Sequence, residues 1–262
     1  MSIESDVVFE ERGAVAYVRL NRPAQMNALT GAMLESLKSF FDNLSGRRGD
    51  LRAVILIGTG ADAFSAGTDI NELAALDENG ALRAARRGQE VCELIEMCGA
   101  PVIAAVNGVA VGGGCELALA CHLRIAASDA RFALPEARLG LPPAYGGTQR
   151  LARIVGEGRA LAVMLAGESI PADEALRIGL VNRLVELSEL LSAAEALARS
   201  VTENAPLAIR ACLEAVARGQ RLNFEEALNL EAELFSRLFA TEDMSEGTRA
   251  FLEKRTPVFR GK

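Results

Sequence analysis

Two short runs, Arg52-Ala53-Val54-Ile55-Leu56-Ile57-Gly58 and Pro101-Val102-Ile103-Ala104-Ala105-Val106, are apolar along almost their whole length. A strand with one wet face alternates apolar and polar residues, so continuous apolar runs of this length fit strands covered on both faces. Such strands favour a mainly parallel sheet with helical crossovers, an α/β architecture. Further runs rich in Val, Ile and Leu at 14–20, 123–127 and 180–185 add three strands. Between the first two strands, Met33, Leu34, Leu37, Phe40, Phe41 and Leu44 repeat on one helix face, and Thr30 is placed to cap it. Residues 82–98 read as a second helix and 115–121 as a short one opened by three glycines. Residues 171–178 read as a helix closed by Gly179.

From about residue 188 the strand signals stop. Residues 188–253 read as successive helices, broken near Asn204-Ala205-Pro206, Gly219 and Asp243. The expected division is therefore a catalytic core over 1–187 and a helical C-terminal region over 188–262. An apolar stripe at Leu230, Leu234, Phe235 and Leu238 needs cover, from the chain's own core or a neighbouring subunit.

Composition removes several chemistries. Over 262 residues, 28 Lys and Arg against 35 Asp and Glu give a net charge of −7 with few aromatics, a poor match to nucleic acid. His122 is the one histidine, which rules out HExxH zinc sites and His-rich metal clusters. The five cysteines contain no CxxC pair and are expected to be reduced and buried. The N-terminus is acidic, with no apolar segment after it, and no run approaches the ~18 residues of a membrane span. A cytoplasmic enzyme is expected.

Four stretches carry chemistry. Gly58-Thr59-Gly60-Ala61-Asp62-Ala63 matches a dinucleotide fingerprint, but Phe64-Ser65-Ala66-Gly67 interrupts before any helix begins, so the context fails. That second turn continues into Thr68-Asp69-Ile70, where backbone N–H groups can point at an oxygen. Asn107-Gly108-Val109-Ala110-Val111-Gly112-Gly113-Gly114-Cys115-Glu116 places costly consecutive glycines at a helix N-terminus, with Glu116 in its first turn. Glu136 follows Phe132-Ala133-Leu134-Pro135, apolar neighbours that raise a carboxyl pKa, and Gly140 to Leu151 contains Gly146-Gly147-Thr148-Gln149-Arg150.

Together these stretches resemble the crotonase (enoyl-CoA hydratase/isomerase) superfamily. The likeness runs from Leu20-Asn21-Arg22-Pro23 and Asn27-Ala28-Leu29 to Phe251-Leu252-Glu253-Lys254-Arg255. It implies a spiral of ββα units with a helical C-terminal extension that builds a homotrimer or a hexamer. It implies an enoyl-CoA hydratase, a lyase of fatty-acid β-oxidation, acting on an acyl-CoA thioester with no metal and no cofactor beyond the substrate's coenzyme A. Carried onto this sequence, the amides of Ala66 and Gly113 form an oxyanion hole, and Glu116 and Glu136 are the acid/base pair. Gly67, Thr68, Asp69 and Ile70 lie along coenzyme A, with Ala144 and Tyr145 at the acyl side and Phe235 and Lys254 near the nucleotide. The alternatives are a Δ3,Δ2-enoyl-CoA isomerase using Glu136, or a non-catalytic CoA- or RNA-binding scaffold.

Three positions depart from the family pattern. His122 replaces an aspartate, Ala144 a glycine whose N–H helps hold the catalytic water, and Tyr145 a small residue. Tyr145 either narrows the acyl pocket or simply packs.

Overall fold

A computed structural model describes residues 5–46 and 51–262. The strands are β1 (Val7–Arg12), β2 (Val15–Leu20), β3 (Ala53–Gly58), β4 (Ala63–Ser65), β5 (Val102–Val106), β6 (Val109–Val111), β7 (Leu123–Ala127), β8 (Arg131–Ala133), β9 (Ser169–Pro171) and β10 (Arg183–Val185). The helices are α1 (Gly31–Gly46), α2 (Ile70–Ala74), α3 (Glu78–Glu96), α4 (Gly113–Ala120), α5 (Gly147–Val155) and α6 (Glu157–Ala166). They continue with α7 (Ala172–Arg177), α8 (Leu190–Thr202), α9 (Pro206–Gly219), α10 (Phe224–Leu238) and α11 (Glu242–Glu253).

The larger sheet has the order β1-β2-β3-β5-β7-β10 and is parallel from β2 onward. Every residue of β3 and β5 is buried, as continuous apolar strands require. α1 lays Met33, Leu34, Leu37, Phe41 and Leu44 into this core, and the Thr30 hydroxyl accepts from the Met33 amide at 3.2 Å. The expected strand over 180–185 is shorter. Leu180 and Val181 instead close α7, both amides donating to Ala175, beyond Gly179 in a left-handed conformation.

A second sheet, β4-β6-β8-β9, is built from strands that the apolar runs of the sequence did not mark. Its strands β4, β6 and β8 run parallel, and each follows a strand of the larger sheet. The chain therefore repeats a unit of one long strand, one short strand and a helix: β3-β4-α3, β5-β6-α4, β7-β8-α5. This is the ββα spiral with a helical C-terminal region.

α8 packs Leu190, Ala194 and Ala198 into the main core, so the helices that stand outside it begin at α9 rather than at residue 188. Arg52 ties this region down, donating to the carbonyls of Thr202 (3.1 Å) and Phe259 (3.0 Å). The expected break near Asp243 falls just before it, between the end of α10 at Leu238 and the start of α11 at Glu242, and Asp243 is buried. It sits in the first turn of α11 and accepts from the amides of Arg260 and Gly261. The expected stripe divides: Leu230 and Leu234 are buried within the chain, whereas Phe235 is exposed. Four cysteines are buried and free, but Cys212 is exposed. Among the described residues no helix is long and apolar enough to cross a membrane.

Candidate active site

The short sheet positions the site. Because β4, β6 and β8 are parallel, the loops that follow them leave from one edge, the carboxyl edge where open α/β sheets hold ligands. β4 delivers Ala66-Gly67-Thr68, β6 delivers Gly112 and the start of α4, and β8 delivers Leu134-Pro135-Glu136. Gly112 has φ +51°, and a methyl group there would lie 2.9 Å from Glu136 Oε1. Only glycine combines that backbone conformation with so close a carboxyl.

The free amides differ from those expected. Met26 and Asn27 both adopt left-handed conformations, which turns the Met26 carbonyl toward β4, where it accepts from the Ala66 N–H at 2.9 Å. Ala66 is therefore not an available oxyanion donor. Gly67 N is also engaged, with Ser65 Oγ at 3.2 Å. Thr68 N and Gly113 N, the first amide of α4, have no acceptor among the described residues. The turn is tight. A methyl group on Gly67 would lie 3.3 Å from Gly113 N, and one on Gly113 would lie 3.3 Å from Thr68 Oγ1. Thr68 and Gly113 thus supply two adjacent donors, the second at the positive end of a helix buried along its whole length.

Asp69, expected along coenzyme A, is also committed. Its Oδ2 accepts from Arg22 at 2.9 Å and its Oδ1 caps α2 through Asn71 N at 3.0 Å, and the Arg22 guanidinium holds its pKa below the usual range. This pair secures the turn that presents Thr68. Buried Asn27 secures it from the other side, accepting from Arg22 N and donating to the carbonyls of Thr59 and Ala63.

Glu116 is 2% exposed, and one oxygen, Oε1, accepts from both Tyr145 N (2.8 Å) and Gly147 N (2.6 Å). Burial pushes its pKa up to about 7, the nearby Glu136 carboxyl adds to the rise, and the two amides oppose it. Glu136 Oε2 is buried with no hydrogen-bond partner among the described residues, and burial raises this pKa too. Two carboxyls that both resist ionisation and sense each other share protons readily, the condition for one to act as base and the other as acid.

The Enoyl-CoA hydratase/isomerase family pattern matches residues 10–262. The chain is 43% identical over 251 residues to the short-chain-enoyl-CoA hydratase of Clostridium acetobutylicum, covering 96% of both chains. It is 42% identical over 256 residues to the crotonyl-CoA hydratase of Syntrophomonas wolfei, covering 97% of both. The solved structure of an enoyl-CoA hydratase from Bacillus anthracis superposes with a TM-score of 0.95 at 37% identity, over 98% of this chain and 100% of that one. This chain belongs to the enoyl-CoA hydratase/isomerase family.

Against the family pattern, the three departures resolve into distinct roles. His122 Nδ1 accepts from Val102 N (2.9 Å) and its Nε2 faces the Glu96 carbonyl (3.1 Å), so the neutral ring with its proton on Nε2 satisfies both neighbours. Burial holds its pKa down, and its role is structural. Ala144 keeps an amide without an acceptor among the described residues, while its carbonyl accepts from Gln89. Tyr145 is buried, its hydroxyl 3.0 Å from Thr68 Oγ1. Ile70 is exposed at the start of α2. Exposed Phe235 meets Phe239 edge-on, and Lys254 is an exposed left-handed cap on α11. No hydrogen bond or ring contact ties Phe235 or Lys254 to the glutamate pair among the described residues.

One contributor was missed. Arg150 donates to the Tyr145 carbonyl (3.0 Å) and pairs with Glu96 (3.0 Å), fixing the turn whose amides hold Glu116. Its position three residues past Gly147, on the first turn of α5, was the available signal.

Proposed function

We propose that this chain adds water across the double bond of a 2-enoyl-CoA thioester to give the 3-hydroxyacyl-CoA. The observation that carries the reading is the buried, partnerless Glu136 Oε2 beside the raised Glu116 carboxyl, next to two unclaimed amides. The thioester oxygen sits on the amides of Thr68 and Gly113, which draws electron density from the β-carbon. Ionised Glu116 takes a proton from a water as its oxygen bonds to the β-carbon. The double-bond electrons move to the α-carbon and carbonyl, and Glu136 gives its proton to the α-carbon. Glu116 ends with one proton more and Glu136 with one fewer, and exchange between them through solvent restores the pair. The Ala144 amide is a further donor for the water. The names of the two relatives, both hydratases, support the same reaction class.

Incubation with 2-enoyl-CoA and, separately, 3-enoyl-CoA tests this. Loss of enone absorbance on the first substrate, faster than double-bond migration on the second, is the expected result. Faster turnover of the 3-enoyl substrate replaces the reading with an isomerase, and turnover of neither leaves a binding scaffold.

The proposal extends to assembly. Phe224, Phe235, Phe239, Phe251 and Leu252 are exposed on α10, α11 and the turns beside them, more large apolar surface than a lone helical region leaves wet. A homotrimer, or a hexamer of paired trimers, covers it. Light scattering at micromolar concentration is expected to give a multiple of the 27.8 kDa chain mass. A monomer at that concentration contradicts it.

A further inference from the structure

We infer that the Tyr145 ring forms the end wall of the acyl pocket and restricts the enzyme to short 2-enoyl thioesters. The inference rests on the hydratase reading of the same site. Tyr145 touches three residues of that site, Glu116, Thr68 and Gly113. Its backbone amide donates to Glu116, the carboxyl assigned to the β-carbon. Its hydroxyl lies 3.0 Å from Thr68 Oγ1, and a methyl group on Gly113 would lie 2.8 Å from a ring carbon. Thr68 and Gly113 are the two residues assigned to the thioester oxygen. An acyl group held by its carbonyl on those amides, with its β-carbon at Glu116, therefore runs along the face of this ring.

The ring cannot step back. On its far side it presses on Gly88 in the interior of α3, where even a methyl group would overlap the ring atoms. Glycine inside a helix weakens it, so Gly88 has a reason to be there: it makes room for Tyr145. The ring is 4% exposed and anchored at its hydroxyl, a fixed wall rather than a mobile lid. The far carbons of a longer acyl chain meet that wall.

The test is a chain-length series. kcat/KM is measured for 2-butenoyl-, 2-hexenoyl- and 2-octenoyl-CoA with wild type, Tyr145→Phe and Tyr145→Ala. Misfit in an apolar pocket is worth ~10–200-fold per methylene-sized step, so wild type is expected to lose at least about tenfold from butenoyl to octenoyl. Tyr145→Phe keeps the ring and is expected to keep that ratio. Tyr145→Ala opens the wall and is expected to bring the octenoyl rate to within about threefold of the butenoyl rate, the collapse of a discrimination of that kind. Gly88→Ala provides a second handle that favours the helix while crowding the ring. It is expected to depress hexenoyl hydration about tenfold more than butenoyl hydration, by the same misfit.

Wild-type octenoyl hydration equal to butenoyl, or a chain-length ratio unmoved by both Tyr145→Ala and Gly88→Ala, overturns the inference and leaves the hydratase reading standing. Failure of wild type to hydrate any length overturns both. A role in packing alone lowers rates for all lengths together and leaves the ratio where it was.

Discussion

Glu116→Gln and Glu136→Gln are each expected to lower the rate of hydration by about 10²–10⁴-fold, the usual contribution of a positioned acid or base. Glutamine preserves shape at both positions. At Glu116 the amide oxygen can still accept from Tyr145 N and Gly147 N, so the turn is held while the base is gone. The pH dependence reports on the base. With the Glu116 pKa pushed up to about 7, wild-type kcat/KM is expected to rise as pH approaches that value, because the base works only when ionised. Glu136 must carry its proton, which the rise in its pKa on burial favours. Glu116→Gln removes the rising limb. Stability moves the other way. Above its unfolded pKa near 4.5, ionised Glu116 increasingly destabilises the fold, and the cost levels off above about 7. By linkage that cost is about 3 kcal/mol, so Glu116→Gln is expected to melt at a higher temperature than wild type at alkaline pH while losing activity. Near wild-type turnover in either folded variant removes that glutamate from the mechanism.

Legibility in the sequence followed the strength of the local signal. β3, β5 and α1 were readable because each carries an uninterrupted or periodic apolar pattern, and their residues are buried as that pattern demands. β4, β6 and β8 are three residues each, too short to display a period of two, and their pairing joins segments far apart in the chain. Yet those strands aim the site. Glu116 and Glu136 were visible by chemistry, as carboxyls among glycines and apolar residues. Which amides are free was not visible: Ala66 and Thr68 lie two residues apart in one turn, and the choice falls to a Met26 carbonyl set by two left-handed residues forty positions upstream. The roles of His122 and Tyr145 were equally hidden, because the partners that define them, Val102, Glu96 and Gly88, lie on other elements.

The proposed oxyanion donors belong to the backbone, so the sharpest test acts through Gly67. This residue has φ +94°, and an added methyl group would lie 2.7 Å from the Val111 carbonyl oxygen and 3.3 Å from Gly113 N. Gly67→Ala therefore imposes two separate penalties: a conformation that side chains disfavour, and a collision that drives the Thr68 turn away from the start of α4. Separating the amides of Thr68 and Gly113 leaves the developing enolate oxygen with one donor in place of two. Loss of one such donor costs ~10²–10³ in kcat, and KM is expected to move far less because ground-state thioester contacts persist. Gly13→Ala supplies the control, since Gly13 has φ +60° and nothing within 4 Å of the added methyl group. It carries the same kind of backbone strain in the β1–β2 turn without a collision, so its kcat is expected to match wild type while its melting temperature falls. A chromophoric 2-enoyl thioester gives an independent reading, because a carbonyl held by two donors shifts the bound enone absorption to longer wavelength. Gly67→Ala is expected to lose that shift and Gly13→Ala to keep it. Equal kcat and equal spectral shifts in the two variants, both folded, would remove Thr68 and Gly113 as the donor pair.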